Sequence, residues 1–542
     1  MRRDEDIIKQ KIERFAALKS HRSTFNSHWD EVARVATPRD NLFFTTRSPG
    51  QKNRSEQFDS TAELSLNRAS SFYDSVTTPR NKRWHGLVSP HTEIDKNINV
   101  RRYFDNVENI LFKNRYGPRS GFPGQRYEQI RSLWSFGNGI IFTDMEGTNI
   151  RYRAIHLSQF YMDENHSGII DVGYREMPMT IRQMIQQFGE SNVPESIRRL
   201  EKNEHTKKYS VIHSVEPNPD HDPESLNPED RKFVSYYILT EGEEAILEST
   251  GYKTFPYSIS RDTKSPREIY GRSALMSVLP TIKTLNQMKK TDLKASHMVV
   301  DAPVLMSDDG AIDIGDLRPG RAVVGGLDSM GRPKVVPYQS GNRVDIAEGK
   351  ITNEQNTIRE AFLLDMFAVN FEREMTATEF MGRQQEQARL LTPLTGREET
   401  EALSPLIERE LQLYNDAGML PEMPQELVET FGEFEPQYTS PIANAQKADE
   451  AIGARQTVLA GIELAQAGNQ DALKRIKGSE YIAIVADANS TPARMMHSDE
   501  EFAELLAQEQ QAQEQQMLIE NAQQLSQAGL NVANTQQVVD GE

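Results

Sequence analysis

Two stretches of this chain have the glycine spacing of a phosphate-binding loop, the motif that would support nucleotide hydrolysis. That motif, G-x-x-x-x-G-K-[ST], holds phosphates with backbone N–H groups and a lysine. Gly168–Gly173 is followed by Tyr174 and Arg175, and Gly315–Gly320 by Arg321 and Ala322, so neither stretch has the lysine and hydroxyl residue. Both are predicted to be turns, and we expect that the chain does not hydrolyse ATP itself.

Metal-binding and hydrolytic motifs are incomplete in the same way. The segment DENHSGIIDVGY mimics a calcium-binding EF-hand loop from Asp163 onwards, but its twelfth residue is Tyr174 instead of a bidentate glutamate. A β-hairpin turn is the better interpretation. The eleven histidines form no H-E-x-x-H motif, and no G-x-S-x-G elbow occurs. Asp308–Asp309 suits a turn, although a two-metal nuclease stays open. We predict no catalytic residue, no cofactor and no metal.

The composition restricts the class of partner. A formal net charge of −18 over 542 residues argues against a tight, non-specific nucleic-acid clamp, which needs clustered Lys and Arg. It still permits a surface past which nucleic acid slides without sticking. The absence of cysteine excludes disulfides and zinc–thiolate sites. The charged N-terminus MRRDEDIIKQKIERF suits neither a signal peptide nor a membrane span, so we expect a soluble protein without a membrane partner.

The periodicity of the first 270 residues predicts helices early and strands late. The expected helices are 5–36 (ended by Pro38), 59–76, 101–116, 125–136, 180–188 and 194–203. Short β-like runs fill 139–174, and a strand, an acidic proline-rich loop and a hairpin follow the last of these helices. The predicted fold class is therefore α+β and mostly helical.

The central region combines long helices with a compact β insert, and two helices that bracket such an insert can line a surface. A helix is predicted from Arg272 to about 299, with a kink or a start at Pro280. A small β module follows over 303–338, and a second helix begins near Val344 with a narrow apolar stripe. After it, Thr376 and Glu379 have capping-box spacing, so a helix is expected from Ala377. That helix breaks at TPLTG, restarts, and ends at Gly418.

Several strings of the chain, in this order, carry a resemblance to one family. They are HWDEVARVATPRD, FDSTAELSLNRASSFYDSVTTPRNKRWHGL, GIIDVGYREMPMTIRQMIQQFGE, SISRDTKSPREIYGRSALMSVLPTIKTLNQ, MTATEFMGRQQEQARLL and LSPLIERELQLYNDAGMLP. The chain resembles the portal, or head-to-tail connector, proteins of short-tailed, podovirus-type bacteriophages.

The resemblance implies a phage portal fold of wing, stem, clip and crown, assembled as a ring of twelve subunits around a channel. It implies these parts: an α+β wing over 1–270, a first stem helix over 271–299, a clip over 300–341, a second stem helix over 342–366, a channel loop over 366–376, a bracing helix over 377–420, a crown with C-terminal helices over 421–527, and a disordered tail over 528–542. The polar run AQEQQAQEQQ is read as helix within that crown.

The implied role is to pass double-stranded DNA through one capsid vertex during packaging and ejection. The implied partners are the terminase motor, scaffold, major capsid and tail adaptor proteins, in the host cytoplasm during assembly and then in the virion. A ring of such acidic chains repels DNA as a whole, so a few basic side chains are expected to centre it. The candidates for lining the channel are Lys283, Lys289, Lys290, Lys294, Arg343, Lys350, Arg359 and Arg373, of which only two or three are expected to face the lumen.

The same loop offers a second possibility, a constriction formed by Phe367, Val369 and Phe371. The alternatives to a portal are a tail adaptor or other non-portal ring protein of the virion, and a DNA-processing enzyme of the packaging complex. The missing nucleotide loop opposes the enzyme. The helix–β tip–helix order followed by a bracing helix opposes the adaptor.

Overall fold

The computed structural model describes most of the chain, which folds into two units. The units are residues 1–81 with 114–417, and residues 82–113 with 418–542. The described residues are 2–44, 50–51, 57–95, 97–225, 227–300, 304–306, 326–337, 344–364, 393, 395–429, 434–438, 441–467, 470–488, 491, 495–497 and 499–539. The predictions at Asp308–Asp309, Gly315–Gly320, Thr376, Glu379 and the helix start at Ala377 lie outside these residues.

Helices dominate the described residues, and strands are grouped in small sheets, as the α+β prediction expects. The helices are α1 (Arg2–His21), α2 (Ser23–Ala36), α3 (Thr61–Thr77), α4 (Thr92–Asp95), α5 (Ile98–Arg115), α6 (Phe122–Phe136), α7 (Ile181–Phe188), α8 (Glu195–Arg198), α9 (Ala274–Ser277), α10 (Leu279–Val300), α11 (Val344–Ala361), α12 (Ser404–Asp416), α13 (Gln425–Val428), α14 (Pro441–Gln466), α15 (Gly478–Ala488) and α16 (Asp499–Val539). The strands are β1 (His85–Val88), β2 (Asn138–Glu146), β3 (Asn149–Ile155), β4 (Phe160–Glu164), β5 (Ile170–Thr180), β6 (Lys208–Pro217), β7 (Phe233–Leu239), β8 (Ala245–Tyr252), β9 (Tyr257–Arg261), β10 (Val304–Met306), β11 (Val335–Pro337) and β12 (Glu435–Tyr438).

Two antiparallel sheets form the larger β part of the first unit. One has the order β3–β2–β9 and the other the order β4–β5–β6–β7–β8. In the turn between β4 and β5, the side-chain oxygen of Asn165 accepts hydrogen bonds from the N–H groups of Ser167 (2.9 Å) and Ile169 (3.1 Å), and Gly168 has φ +80°. This geometry confirms the hairpin turn predicted there in place of a calcium loop.

The single N-terminal helix predicted over 5–36 is wrong, because the structure has two helices, α1 and α2, separated at Arg22. The Arg22 guanidinium donates to the carbonyl oxygens of Leu157 (2.7 Å) and Phe160 (2.5 Å) and lies 3.7 Å from the ring centroid of Tyr161. The side chain is only 2% exposed. These distant acceptors hold the Arg22 side chain in the interior between the two helices, and hydrophobic periodicity contains no information about them.

The central helices begin and end close to the predicted positions. α10 begins at Leu279 with Pro280 in its first turn, where proline lacks only an N–H that the helix does not use. Of the β module between α10 and α11, the described part is the antiparallel pair β10–β11. α12 ends at Asp416, and Gly418 has φ +62°, the left-handed conformation of a helix C-terminus.

The second unit contains the pair β1–β12, in which His85 lies opposite Tyr438. Glu108 on α5 accepts from the Leu87 N–H (2.7 Å) and from Arg83 (3.0 Å), and its burial raises the pKa of this carboxyl to about 7. α16 contains the AQEQQAQEQQ run as helix, and it continues to Val539 through residues for which a disordered tail is expected from the sequence. No helix among the described residues is long and apolar enough to cross a membrane.

Candidate functional site

The two long helices α10 and α11 pack side by side, and each buries one apolar stripe in the main core of the first unit. On α10 the stripe includes Ile282 and Leu285, and on α11 it includes Ile351, Ile358 and Phe362. The Phe362 ring stacks against Trp134 of α6, with 6.1 Å between centroids. Ile351 and Ile358 of α11, and Phe362 just after its end, are buried in keeping with the narrow apolar stripe expected there. The opposite faces of both helices are exposed.

The N-terminus of α3 fixes both helices at once. The side-chain oxygen of Asn286 on α10 accepts from the N–H groups of Phe58 (3.0 Å) and Asp59 (3.1 Å). Gln355 on α11 donates to one carboxylate oxygen of Asp59 (2.7 Å), and the other accepts from the Thr61 N–H (2.8 Å). The Asp59 carboxylate thus links the start of α3 to α11, and the Asn286 side chain links the same segment to α10.

The chain just before α9 is in close backbone contact with the chain just after α6, through two glycines, Gly137 and Gly271. A Cβ on Gly271 would lie 2.4 Å from the carbonyl oxygen of Gly137, and a Cβ on Gly137 would lie 2.3 Å from that of Gly271. Asn138 closes the contact, because its amide donates to the Gly271 carbonyl (3.3 Å) and accepts from the Gly271 N–H (2.9 Å). The string YGRS is thus a structural junction in which only glycine fits.

The segment that begins at residue 395 is held in place by buried ion pairs. Glu398 and Arg126 are each 1% exposed at the side chain and lie 2.6 Å apart, and Ser260 donates to the same carboxylate (2.9 Å). Arg261 binds Glu401 through two hydrogen bonds of 2.8 and 2.9 Å. Residues 399–403 form a π-helical stretch here. Local π-helix often marks a position where side-chain geometry takes precedence over regular helix.

A half-buried carboxyl beside these pairs, that of Asp262, has a shifted pKa. Burial raises the pKa of Asp262 to about 6, although Thr263 and Arg397 favour its charged form. Arg397 also donates to the backbone carbonyl of Asp262. The carboxylate is therefore destabilised near neutral pH, despite its partners.

The predicted basic residues are only partly brought together. Lys283, Lys290 and Lys294 all lie along α10, and Lys350 lies on α11. Lys283 forms an ion pair with Glu31 of α2, and the Lys290 ammonium lies 5.5 Å from the ring centroid of Phe58. Lys294 and Lys350 are exposed, and Lys289 is half-buried. Arg359 donates to the side-chain oxygen of Asn356 (3.0 Å).

The remaining predicted site residues lie outside the part of the chain that the structure describes. They are Arg343, Phe367, Val369, Phe371 and Arg373. The sequence indicates Asp59 or Ser60 as the N-cap of α3, and the structure has Ser60 there. Nothing in the sequence connects Asp59 to Gln355, or Asn286 to the start of α3.

One buried cluster resembles an acid–base site but is sealed. His213 bonds through Nδ1 to the Tyr257 hydroxyl (2.6 Å) and through Nε2 to the Ser235 hydroxyl (2.9 Å), and it stacks on Tyr237 at 4.0 Å. Burial holds the pKa of His213 well below its usual range. Both nitrogens are used within the core, so the cluster is structural. Among the described residues, no group of three or more His, Asp and Glu side chains could hold a metal ion.

The chain belongs to the family of bacteriophage head to tail connecting proteins, whose match covers residues 9–496. It is 25% identical over 451 residues to the "Probable portal protein" of Bordetella phage BPP-1, covering 81% of this chain and 79% of that protein. It is 26% identical over 470 residues to the "Portal protein" of Salmonella phage epsilon15, covering 84% of this chain and 82% of that protein. The resemblance to portal, or connector, proteins is thereby confirmed.

Among solved structures, one match is a chain of the "Neck of native GTA particle computed with C12 symmetry". The sequence identity is 11% and the TM-score 0.32, over 73% of this chain and 88% of that chain. A TM-score of this size supports no argument about assembly.

Proposed function

We propose that the chain forms a closed homo-oligomeric ring of twelve subunits at one capsid vertex, through which double-stranded DNA enters and leaves the head. The observation that supports this most directly is the helix pair α10–α11, which is rooted in the core by Ile282 and Ile358 and leaves a long exposed face on each helix. Side by side, copies of such a pair make a wall. The family membership supplies the setting at the head–tail junction.

The net negative charge of the subunit favours a ring that lets DNA pass over a ring that binds it tightly. Duplex DNA carries about one negative charge per 1.7 Å of its axis, and each subunit carries −18. The ring therefore repels the duplex at long range and cannot grip it over its whole surface. Within the described residues, the exposed candidates for centring the duplex include Lys294 and Lys350.

The region between α10 and α11 is the proposed docking tip for the terminase motor and afterwards for the tail adaptor. Its described part exposes Leu305 (58%), Met330 (77%) and Val336 (46%). Leu305 and Val336 lie opposite each other on β10 and β11 and therefore share a face. A two-stranded ribbon is marginal alone, so this exposed face favours association with other chains. Scaffold and major capsid proteins are proposed to contact the ring elsewhere.

We further propose a structural role without catalysis. The sequence lacks a complete nucleotide-binding loop, and the buried His213 cluster is sealed. An ATPase assay on the purified chain tests this, because turnover above that of a mock preparation contradicts it and favours the packaging-enzyme alternative.

Electron microscopy of the purified full-length chain tests the main proposal. The expected result is discrete rings of about a dozen subunits with a hole wide enough for a duplex. A compact monomer at high concentration refutes it. A ring that joins the tail but is absent from heads before DNA packaging favours the adaptor alternative.

A further inference from the structure

The buried arginines of the described residues have partners for their charge, with one exception. Most of them form ion pairs with carboxylates, namely Arg115, Arg126, Arg131, Arg261 and Arg409. Arg22 donates to backbone carbonyl oxygens instead. The exception is Arg175 on β5, which forms no ion pair with a carboxylate of any described residue. Buried charges are normally paired, because a charge that leaves water without a countercharge destabilises the fold.

The surroundings of Arg175 do not balance its charge. The residue is only 9% exposed, and its Nε has no hydrogen-bond partner among the described residues. The Tyr257 hydroxyl lies beside it, but burial raises the pKa of Tyr257, so this group stays neutral. Burial also lowers the pKa of Arg175, and the nearby charge of Arg153 lowers it further. Since an arginine keeps its proton in proteins, a positive charge remains here without a countercharge.

The second arginine, Arg153, belongs to the other sheet. It lies on β3 opposite Phe142 of β2, which in turn lies opposite Tyr257 of β9, so these side chains share a face. In the five-stranded sheet, Arg175 lies opposite His213. The two faces meet at this point, because the Tyr257 hydroxyl is 2.6 Å from Nδ1 of His213. Arg153 is exposed, and it has no ion pair within the described part of the chain either.

We propose that Arg175 and Arg153 form a binding site for one small oxyanion of the phosphate class, held between the three-stranded and the five-stranded sheet. A guanidinium presents its N–H donors in a plane and can bind two oxygens of such an ion at once. Because Arg175 is almost fully buried, the site suits a small ion better than a macromolecular surface. The ion supplies the missing countercharge and links β3 to β5. Binding here does not require a ring, so it goes beyond the proposed function.

Urea unfolding of the full-length chain in inorganic phosphate, against chloride at the same ionic strength, tests the site. The wild-type midpoint is expected to rise with phosphate concentration beyond the chloride value, because the ion binds the folded state. Arg153→Gln removes one guanidinium at an exposed position, so roughly tenfold more phosphate is expected for the same shift. The matched control is Arg151→Gln on the same strand, whose side chain is already paired with Glu146; it is expected to respond like the wild type.

Arg175→Met separates ion binding from packing. Without phosphate, an apolar side chain in place of an unpaired buried charge should leave the midpoint unchanged or raise it. At saturating phosphate the wild type should be the more stable of the two, so the order reverses.

Three results overturn the proposal. One is a phosphate effect equal to that of chloride. Another is an effect of the same size in the wild type, Arg153→Gln and Arg175→Met, since general stabilisation by an excluded salt acts on every variant alike. The third is a loss in Arg175→Met that is equal with and without phosphate, which makes Arg175 a packing residue. If Arg175→Met does not fold, the comparison of Arg153→Gln with Arg151→Gln decides.

Discussion

Replacing Gly271 by alanine tests whether the junction of α9 and α10 depends on a close backbone contact. The added Cβ would lie 2.4 Å from the Gly137 carbonyl oxygen and 3.0 Å from the Asp262 nitrogen. Both neighbours are backbone atoms, so neither can rotate away as a side chain would. The two strands of chain must separate by roughly 1 Å to restore an ordinary contact.

That separation strains the two hydrogen bonds between Asn138 and the Gly271 backbone, at 2.9 and 3.3 Å. Losing one buried hydrogen bond costs about 1–3 kcal/mol, and overpacking costs about 1–3 kcal/mol more. We therefore expect Gly271→Ala to lower the free energy of unfolding by about 2–6 kcal/mol, a large part of the 5–15 kcal/mol typical of a domain.

Urea unfolding of the full-length chain, followed by intrinsic fluorescence, measures this loss. Gly124→Ala is the matched control, because Gly124 lies in α6 and no atom comes within 4 Å of an added Cβ; there alanine is expected to be neutral or stabilising. If the two variants unfold at the same midpoint, the argument from the glycine contact fails.

Three further changes test other parts of the structure. Glu410→Gln leaves the fully buried Arg115 guanidinium without its countercharge, so a loss of about 3–5 kcal/mol is expected in the same unfolding assay; a loss below about 1 kcal/mol would show that water reaches the pair. Asp262→Asn removes a half-buried carboxyl whose pKa is raised to about 6. Since the folded state binds the proton more tightly, wild-type stability rises as pH falls from about 7 to 4, and the variant should gain up to roughly 3 kcal/mol at pH 7 but little at pH 4; an equal effect at both pH values contradicts this. Asp59→Ala removes the acceptor of the Thr61 N–H and the bond to Gln355, so a loss of about 1–2 kcal/mol is expected, and Gln355→Ala, measured in parallel, should lose less, because it leaves the bond to Thr61 intact.

Features set by neighbours along the chain were predictable. Proline in the first turn of α10 and glycine after α12 act through backbone geometry that a single sequence contains, so the bounds near Leu279 and Gly418 are close to the expected ones. The β4–β5 turn was predictable for the same reason, because Asn165 and Gly168 both favour it.

Features set by distant residues were not predictable. Arg22, between α1 and α2, is buried because its acceptors belong to residues 157 and 160, and the periodicity of α1 and α2 continues across the break. Similarly, charged residues at 126 and 398 read as surface positions in a sequence, but they are buried because they bind each other. Predicting which lysines of α10 are engaged would require knowing that Glu31 and Phe58 lie beside them.

Two side-chain contacts with α6, at residues 362 and 398, restrict which sequences can replace the stretch between them. Phe362 stacks on Trp134, and Glu398 pairs with Arg126, so the chain leaves and rejoins the same helix at points eight residues apart, about 12 Å at 1.5 Å per residue. Any sequence between those two points must therefore start and finish at this separation along one helix. A segment exchanged from a related chain has to meet the same separation for both attachments to form.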